Sequence, residues 1–187
     1  MTEKHFISAD SLLEDSYRLG RKVLESGFEP THIVGVWRGG APIGIAVQEY
    51  LEHKGLKTDH IAVRTSAYTG IDARSREVKV YGEGYLVDTL DHSDRLLIVD
   101  DVFDSGRSVE ALMHVLEQKC RRNLPRDVRI ATVYYKPERN ETELSPNYFV
   151  YETNEWLVFP HELCGLTDEE IAMKGGAGRV VLEREEA

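Results

Sequence analysis

Cysteine is scarce in this sequence, which has only Cys120 and Cys164 among its 187 residues. Neither thiol has a partner at metal-ligand spacing, and two cysteines do not make the disulfide framework of a small secreted protein. We therefore expect two free thiols and a fold stabilised by its apolar core. The length predicts a single domain, residues 1–187, with a sizeable core.

Long apolar runs are also absent. No stretch approaches the roughly 20 apolar residues of a membrane-spanning helix. The first residues, Met1–His5, precede no apolar segment of the kind found in signal peptides. We expect a cytoplasmic protein with no membrane partner.

An excess of positive charge is the third feature that the sequence lacks. Lysine and arginine number 23 against 33 aspartates and glutamates, for a formal net charge of −10. General binding to nucleic acid or to an anionic membrane needs a basic surface, so both partners are disfavoured. A local basic pocket for an anionic small molecule stays compatible with this charge.

The most informative stretch present is a strand, turn and helix over residues 95–120. The apolar run 96–99, which follows Arg95, is typical of a buried parallel strand and ends in two carboxylates, Asp100 and Asp101. A turn at residues 104–106 leads into a predicted helix, residues 107–120. Backbone N–H groups at a helix start favour phosphate, and paired carboxylates accept hydrogen bonds from sugar hydroxyls or hold a hydrated cation. The stretch therefore predicts a site for a sugar phosphate with magnesium.

A second unit of this kind precedes the first. A predicted strand over Thr31–Trp37 ends at Arg38 and Gly39, and a predicted helix covers Ile43–His53. Glycines let the backbone approach an anion closely, and Arg38 adds a guanidinium. An Arg-Gly-Gly turn alone is a weak signal of an anion site. Here it is paired with the turn at residues 104–106, which also favours an anion.

The alternation of strands and helices predicts an α/β fold, with a mostly parallel central sheet flanked by helices. Ligands of such sheets bind beyond the carboxyl ends of the strands, so the polar residues there should lie together. Those residues are Arg38, Asp100, Asp101, Asp104 and Lys136. The other predicted strands are His60–Thr65, Val128–Tyr135, Tyr148–Glu152 and Trp156–Phe159, and the other helices are Ser8–Gly27 and a short one from Thr167 to about Gly175.

Two segments are predicted to be less regular. Residues 66–84 form a long polar connection, which predicts a mobile flap with a hairpin around Val78–Tyr81. The tail after Ala177 is expected to be partly frayed.

Residues 99–108, Val-Asp-Asp-Val-Phe-Asp-Ser-Gly-Arg-Ser, resemble the phosphoribosyl pyrophosphate (PRPP) motif of type I phosphoribosyltransferases. The resemblance extends over about residues 30–162. It implies the fold of that family, with the flap and a small hood built from the N-terminal residues and about residues 152–187.

The resemblance assigns roles to the PRPP-binding residues. Asp100 and Asp101 hold the ribose hydroxyls and a hydrated Mg²⁺, while Arg38 and Gly39 hold the pyrophosphate. Asp104 is the general base near purine N7, although an Asp at this position also suits a helix N-cap. The 5′-phosphate is bound by Ser105, Gly106, Arg107 and Ser108 together with Asp104.

Other residues resemble the hypoxanthine and xanthine-guanine branch of the family. Lys136 matches the lysine that binds the 6-oxo group of the purine, Trp156 the aromatic residue that stacks on the base, and Leu157 a residue whose backbone meets the base edge. Glu162 matches an acid that binds magnesium directly or through water. The sequence departs from the pattern at Ala67, Arg107 and Glu162, so the preferred 6-oxopurine stays open.

The expected function is purine salvage, in which a 6-oxopurine and PRPP give a nucleoside 5′-monophosphate and pyrophosphate with Mg²⁺ as cofactor. Family members are usually dimers or tetramers, so a homo-oligomer is expected. One alternative is a phosphoribosyltransferase for another base, and a second is a regulator of the same fold that binds nucleic acid with PRPP as effector. A receiver-like signalling domain is a third, but in that fold the acidic pair lies near the N-terminus.

Overall fold

The computed structural model describes residues 4–69 and 76–183 of the chain. These residues belong to two compact units. The larger unit is Leu13–Asn154, and the smaller one combines Met1–Leu12 with Glu155–Ala187. The smaller unit therefore contains most of the residues that the sequence analysis assigned to a hood.

The larger unit is built on a six-stranded sheet in the described residues, with strand order β4-β3-β2-β5-β6-β7. Neighbouring strands are parallel except β3 and β4, which are antiparallel. The prediction of an α/β fold with a mostly parallel sheet is confirmed. The strands are β2 His32–Trp37, β3 Asp59–Thr69, β4 Arg76–Tyr81, β5 Arg95–Phe103, β6 Asp127–Tyr135 and β7 Tyr148–Glu152.

The central strands form because their side chains are apolar on both faces. Residues 96–99 of β5 have no solvent exposure, and helices of the unit cover the sheet. In the register of the sheet, Gly35 of β2 lies opposite Val99 of β5, and Val99 lies opposite Ala131 of β6. This register brings the carboxyl ends of β2, β5 and β6 to one edge of the sheet.

The helices of the larger unit are close to those predicted. Helix α4 has the predicted bounds and buries Val109, Leu112 and Leu116. Helix α2 begins at Gly40 and not at Ile43, so it starts directly after the Arg-Gly turn. A short helix, α3, which begins at the last residue of the polar stretch 66–84, was not predicted. The helices are α1 Ala9–Glu25, which begins in the smaller unit, α2 Gly40–His53, α3 Gly84–Thr89 and α4 Arg107–Cys120.

The predicted flap contains more regular structure than expected. Strand β3 continues to Thr69 where Thr65 was predicted as its end, and it pairs with β4 from Arg64 opposite Tyr81 to Thr69 opposite Arg76. The hairpin predicted around Val78–Tyr81 is thus present as β4. Residues 70–75 of the predicted flap lie outside the described residues.

In the smaller unit, β1 (Lys4–Phe6) pairs in parallel with β8 (Trp156–Val158). Two short helices follow, α5 (Asp168–Ala172) and α6 (Gly176–Leu182). Helix α5 starts with a capping box between Thr167 and Glu170. Because α6 is helical through Leu182, the prediction of a frayed tail after Ala177 is wrong for that segment. None of the helices that the structure describes is long and apolar enough to cross a membrane.

Candidate active site

The turn between β5 and α4 is closed by Gly106, which has a φ of +78°. An added Cβ would lie 2.5 Å from the Thr142 hydroxyl oxygen and 2.8 Å from Cζ of Phe103. Conformation and space both therefore require glycine at this position. This tight turn lets helix α4 begin at Arg107, with its free N–H groups at the edge of the sheet.

A cavity of about 80 Å³ opens at this turn. One water molecule needs roughly 10–15 Å³ of such cavity volume, so the space holds a polar group of several atoms. Carboxylates and hydroxyls from the strand end, the turn and the helix start line it together, and they include Asp100, Asp104, Ser105 and Ser108. The cavity therefore combines the N–H groups of a helix start, which favour phosphate, with carboxylates that accept hydrogen bonds.

The turn after β2 packs directly on the end of β5. A Cβ on Gly39 would lie 1.8 Å from Oδ2 of Asp101, and one on Gly40 would lie 2.4 Å from the carbonyl oxygen of Val99. Only glycine permits this approach. The Trp37–Arg38 peptide bond is cis, and Arg38 is exposed at the same edge. The two anion turns of the sequence are thus adjacent in the structure.

Asp100 and Asp101 differ in their surroundings. Burial, and then the neighbouring charge of Asp101, raise the pKa of Asp100 well above the usual range of an aspartate. Its Oδ1 accepts a hydrogen bond from the Asp101 N–H at 2.9 Å, and the Gly40 N–H also donates to this carboxylate. Asp101 accepts from the Val102 N–H at 2.7 Å. A cation or a sugar hydroxyl next to this pair would relieve the repulsion between the two carboxylates.

Asp104 lies between two cations of the segment after β6. Its Oδ2 is 3.3 Å from Nζ of Lys136, and its Oδ1 is 2.9 Å from Nε of Arg139. Lys136 is only 4% exposed, whereas about a third of the Asp104 side chain is exposed. A buried ammonium and a partly open carboxylate are therefore side by side at the turn.

Backbone contacts fix the segment after β6 against the turn. The Lys136 N–H donates to the carbonyl of Phe103 at 2.9 Å, and the Glu141 N–H donates to the carbonyl of Ser105 at 3.0 Å. The Glu141 carboxylate also forms an ion pair with Arg107. Because both ends of the turn are held in this way, Asp104 has a defined position relative to Lys136.

Sequence reasoning missed Arg139. It ends a 3₁₀ turn, Pro137–Arg139, and its N–H donates to the carbonyl of Lys136 at 3.1 Å. Residues three apart in such a turn lie on the same side, which is why Lys136 and Arg139 both reach Asp104. The spacing Lys-Pro-Glu-Arg after a strand was the signal available.

Trp156, Leu157 and Glu162 belong to the smaller unit. Trp156 is 54% exposed and Leu157 is buried. The Glu162 carboxylate accepts a hydrogen bond from the Phe159 N–H at 3.0 Å, and Lys174 donates to the Phe159 carbonyl at 2.7 Å. The structure thus brings the larger-unit site residues together, while the roles of these three stay predictions.

A larger cavity, of about 290 Å³, lies between β2, β3 and α2. Exposed Trp37 and Ile45 line it, together with Gln48, which is hydrogen-bonded to His60 at 2.7 Å. Its lining is mostly apolar and contains no carboxylate, so it lacks the chemistry of the cavity at the β5 turn.

A mostly parallel sheet flanked by helices, with two glycine turns, a carboxylate pair and a buried lysine at one edge, is typical of proteins that bind phosphorylated sugars. The chain belongs to the phosphoribosyl transferase domain family, which it matches over residues 8–165. The family prediction from residues 99–108 is thereby confirmed.

Relatives and solved structures agree with this membership. The hypoxanthine-guanine phosphoribosyltransferase of Lactococcus lactis is 32% identical over 159 residues, which cover 83% of this chain and 80% of that protein. The purine phosphoribosyltransferase of Pyrococcus horikoshii superposes with a TM-score of 0.68 at 25% identity, covering 88% of this chain and 97% of that one. A Neisseria gonorrhoeae protein solved with bound ppGpp has the same fold, with a TM-score of 0.75, 19% identity and coverage of 93% and 97%.

Proposed function

We propose that the protein is a purine salvage phosphoribosyltransferase. It joins a 6-oxopurine (hypoxanthine, guanine or xanthine) to the ribose of PRPP and releases pyrophosphate and the nucleoside 5′-monophosphate. The observation that carries this proposal is the Asp104 carboxylate, 3.3 Å from the buried ammonium of Lys136 at the edge of a phosphate-binding turn. The relatives named hypoxanthine-guanine phosphoribosyltransferase support the choice of a 6-oxopurine.

PRPP is bound by the edge of the sheet. The N–H groups and hydroxyls of residues 104–108 hold the 5′-phosphate in the cavity at the start of α4. Asp100 and Asp101 accept hydrogen bonds from the ribose hydroxyls and stabilise the positive charge that develops on the ribose. Arg38 and the N–H of Gly39 neutralise the leaving pyrophosphate.

The base is bound next to Asp104. Lys136 donates a charge-assisted hydrogen bond to O6 of the purine, which adenine lacks. As N9 forms its bond to C1 of the ribose, the C1–oxygen bond breaks and its electron pair leaves with pyrophosphate. The proton at N7 passes to Asp104, which acts as general base. Trp156 stacks on the ring, and the Leu157 backbone meets the base edge.

Magnesium is the cofactor that we propose. Among residues 4–69 and 76–183, no three His, Cys, Asp or Glu side chains are grouped to hold a metal. Mg²⁺ usually binds through one or two carboxylates, several waters and substrate phosphates, and the pair Asp100 and Asp101 fits that donor set. When bound, the ion supplies charge neutralisation for the pyrophosphate. Glu162 is proposed to hold a second magnesium, directly or through water.

The experiment that tests the function is a panel of hypoxanthine, guanine, xanthine, adenine and uracil, each with PRPP and Mg²⁺. We expect nucleotide formation with 6-oxopurines and none with adenine or uracil. Asp104→Asn is the control for enzyme-dependent turnover, and EDTA tests the metal. Lack of activity with all three 6-oxopurines would contradict the proposal.

The two alternatives predict other results in the same assay. A phosphoribosyltransferase for another base would use adenine or uracil. A regulator that binds nucleic acid would show salt-sensitive binding of RNA or DNA that changes with PRPP. The net charge of −10 and the presence of Asp104 favour the enzyme.

We also propose that the protein forms homo-oligomers. Two large apolar side chains near the turn at Arg38 and Gly39 support this, since Trp37 is 52% and Ile45 62% exposed. Covering them with a second copy would remove apolar surface from water. Light scattering of the wild type and of Ile45→Asp tests it, with a monomer in both as the contrary result.

A cytoplasmic location is likewise a proposal. Cys120 and Cys164 are both free in the structure, which suits a reducing compartment. Cell fractionation with an antibody to the protein tests it.

A further inference from the structure

Arg139 contacts the proposed general base, Asp104, but has no role in the proposed mechanism. Its Nε lies 2.9 Å from Oδ1 of Asp104, while Lys136 lies 3.3 Å from the other carboxylate oxygen, Oδ2. The two cations therefore contact different oxygens of one carboxylate. The Arg139 Nε–Oδ1 distance is shorter than the Lys136 Nζ–Oδ2 distance, and both contacts are ion pairs with the Asp104 carboxylate.

The proposed reaction places different demands on the two contacts. When the purine binds, Lys136 must donate its hydrogen bond to O6 of the base and no longer to Oδ2 of Asp104. Oδ2 is then free to receive a proton. A carboxylate that loses one of its two partners in this way can rotate and misalign. The contact between Arg139 and Oδ1 involves no atom of the base, so it can persist through the reaction.

Backbone hydrogen bonds fix the position of Arg139 relative to Asp104. The 3₁₀ turn that carries it is attached to Lys136 by the hydrogen bond from the Arg139 N–H, and Lys136 is attached to Phe103 at the β5 end. Arg139 therefore approaches Asp104 from a fixed turn, although its own side chain is 54% exposed.

We propose that Arg139 is a positioning residue for catalysis: it holds Oδ1 of Asp104 so that Oδ2 faces the purine when Lys136 binds O6. This inference rests on the proposed function. It assigns Arg139 no contact with PRPP or with the base.

A double-mutant cycle tests the inference, with kcat and KM measured for a 6-oxopurine and PRPP. We expect Arg139→Gln to lower kcat about 10- to 100-fold, as small misplacements of catalytic groups do. The KM for PRPP should change less than about threefold. In the Asp104→Asn background the same substitution should have almost no further effect, because the group that Arg139 positions has lost its function. Arg139→Lys, which keeps the charge, should recover part of the lost kcat.

The matched control is Arg122→Gln, which removes the same charge from an exposed arginine in the 3₁₀ turn Arg121–Asn123. This turn follows the far end of α4, about 20 Å from the helix start for 14 residues at 1.5 Å each. We expect wild-type kinetics from it. Thermal unfolding of every variant checks that it is folded.

Two results would overturn the inference. One is an equal loss of kcat from Arg139→Gln in the wild-type and Asp104→Asn backgrounds. The other is a large rise in the KM for PRPP with unchanged kcat, which would make Arg139 a substrate-binding group. Failure of the proposed function is a separate result, namely an inactive wild type in the base panel.

Discussion

Gly39 faces the carboxylate of Asp101 so closely that a Cβ at Gly39 would lie 1.8 Å from Oδ2 of Asp101. The backbone at Gly39 is in the ordinary helical region, with a φ of −65°. The requirement for glycine is therefore one of space. The turn at Arg38 and Gly39 thus packs directly on the acidic pair, Asp100 and Asp101, and both belong to the proposed PRPP site.

We predict that Gly39→Ala impairs PRPP use. The methyl group must displace either Asp101 or the turn, so kcat/KM for PRPP should fall at least about tenfold, and some stability should be lost. Steady-state kinetics and thermal unfolding measure both. Gly84→Ala is the control, since nothing lies within 4 Å of its Cβ position. Wild-type kcat/KM in Gly39→Ala would show that the turn can move aside without cost.

Gly106→Ala should destabilise the larger unit. Alanine would have to adopt a φ of +78°, at a cost of about 1–2 kcal/mol, and its methyl group would meet Thr142 and Phe103. Gly27→Ala is a matched control, because Gly27 has a φ of +76° and nothing within 4 Å. Urea denaturation of both variants separates the backbone cost from the steric cost. Equal losses of stability would mean that the contacts around Gly106 adjust freely.

Asp100→Asn should stabilise the metal-free protein at neutral pH. The pKa of Asp100 is raised in the folded state, so its contribution to stability is fully present below the pKa of the unfolded chain and is lost as the pH rises through the folded value. Asparagine keeps the acceptor oxygen and carries no charge. Thermal unfolding in EDTA should therefore show a higher Tm than wild type at pH 8 and little difference at pH 4.

The control for this prediction is Asp91→Asn. Hydrogen bonds from the Ser93 backbone N–H and hydroxyl lower the pKa of Asp91, whereas the pKa of Asp100 is raised. The charged form of Asp91 therefore stabilises the folded state, and its substitution should give no stabilisation at pH 8. A Tm of Asp100→Asn equal to that of wild type at pH 8 would show that Asp100 is not penalised by its surroundings. Activity should fall in Asp100→Asn whatever its stability.

Lys136→Met should reduce the use of 6-oxopurines. Methionine fills a similar volume at this buried position but cannot donate to O6, and it leaves Asp104 with Arg139 as its cationic partner. We expect kcat/KM for hypoxanthine to fall about 100-fold, the order of a hydrogen bond lost from a buried site, with little change in the KM for PRPP. Kinetics with hypoxanthine and with adenine measure this. An unchanged preference for hypoxanthine over adenine would remove Lys136 from base selection.

Local sequence was sufficient for the helix after the β5 turn and for the buried part of its strand, although β5 continues past Asp100 and Asp101 to Phe103. A buried apolar run, two carboxylates, a glycine turn and an amphipathic helix each leave a pattern within a few residues. The same kind of pattern failed where polar and apolar residues mix. Strand β3 was predicted to end at Thr65, yet pairing with β4 extends it to Thr69.

The sequence by itself determined the fold class and the residues near the ends of the central strands, because periodicity and turn chemistry are local. The resemblance of residues 99–108 to a known motif determined the family. Only the tertiary structure decided that Gly39 packs on Asp101 and that Arg139 joins Lys136 at Asp104. Those contacts depend on the order of the strands and on their register. Residues distant in the chain are placed within a few ångströms by the packing of the sheet, which no local pattern records.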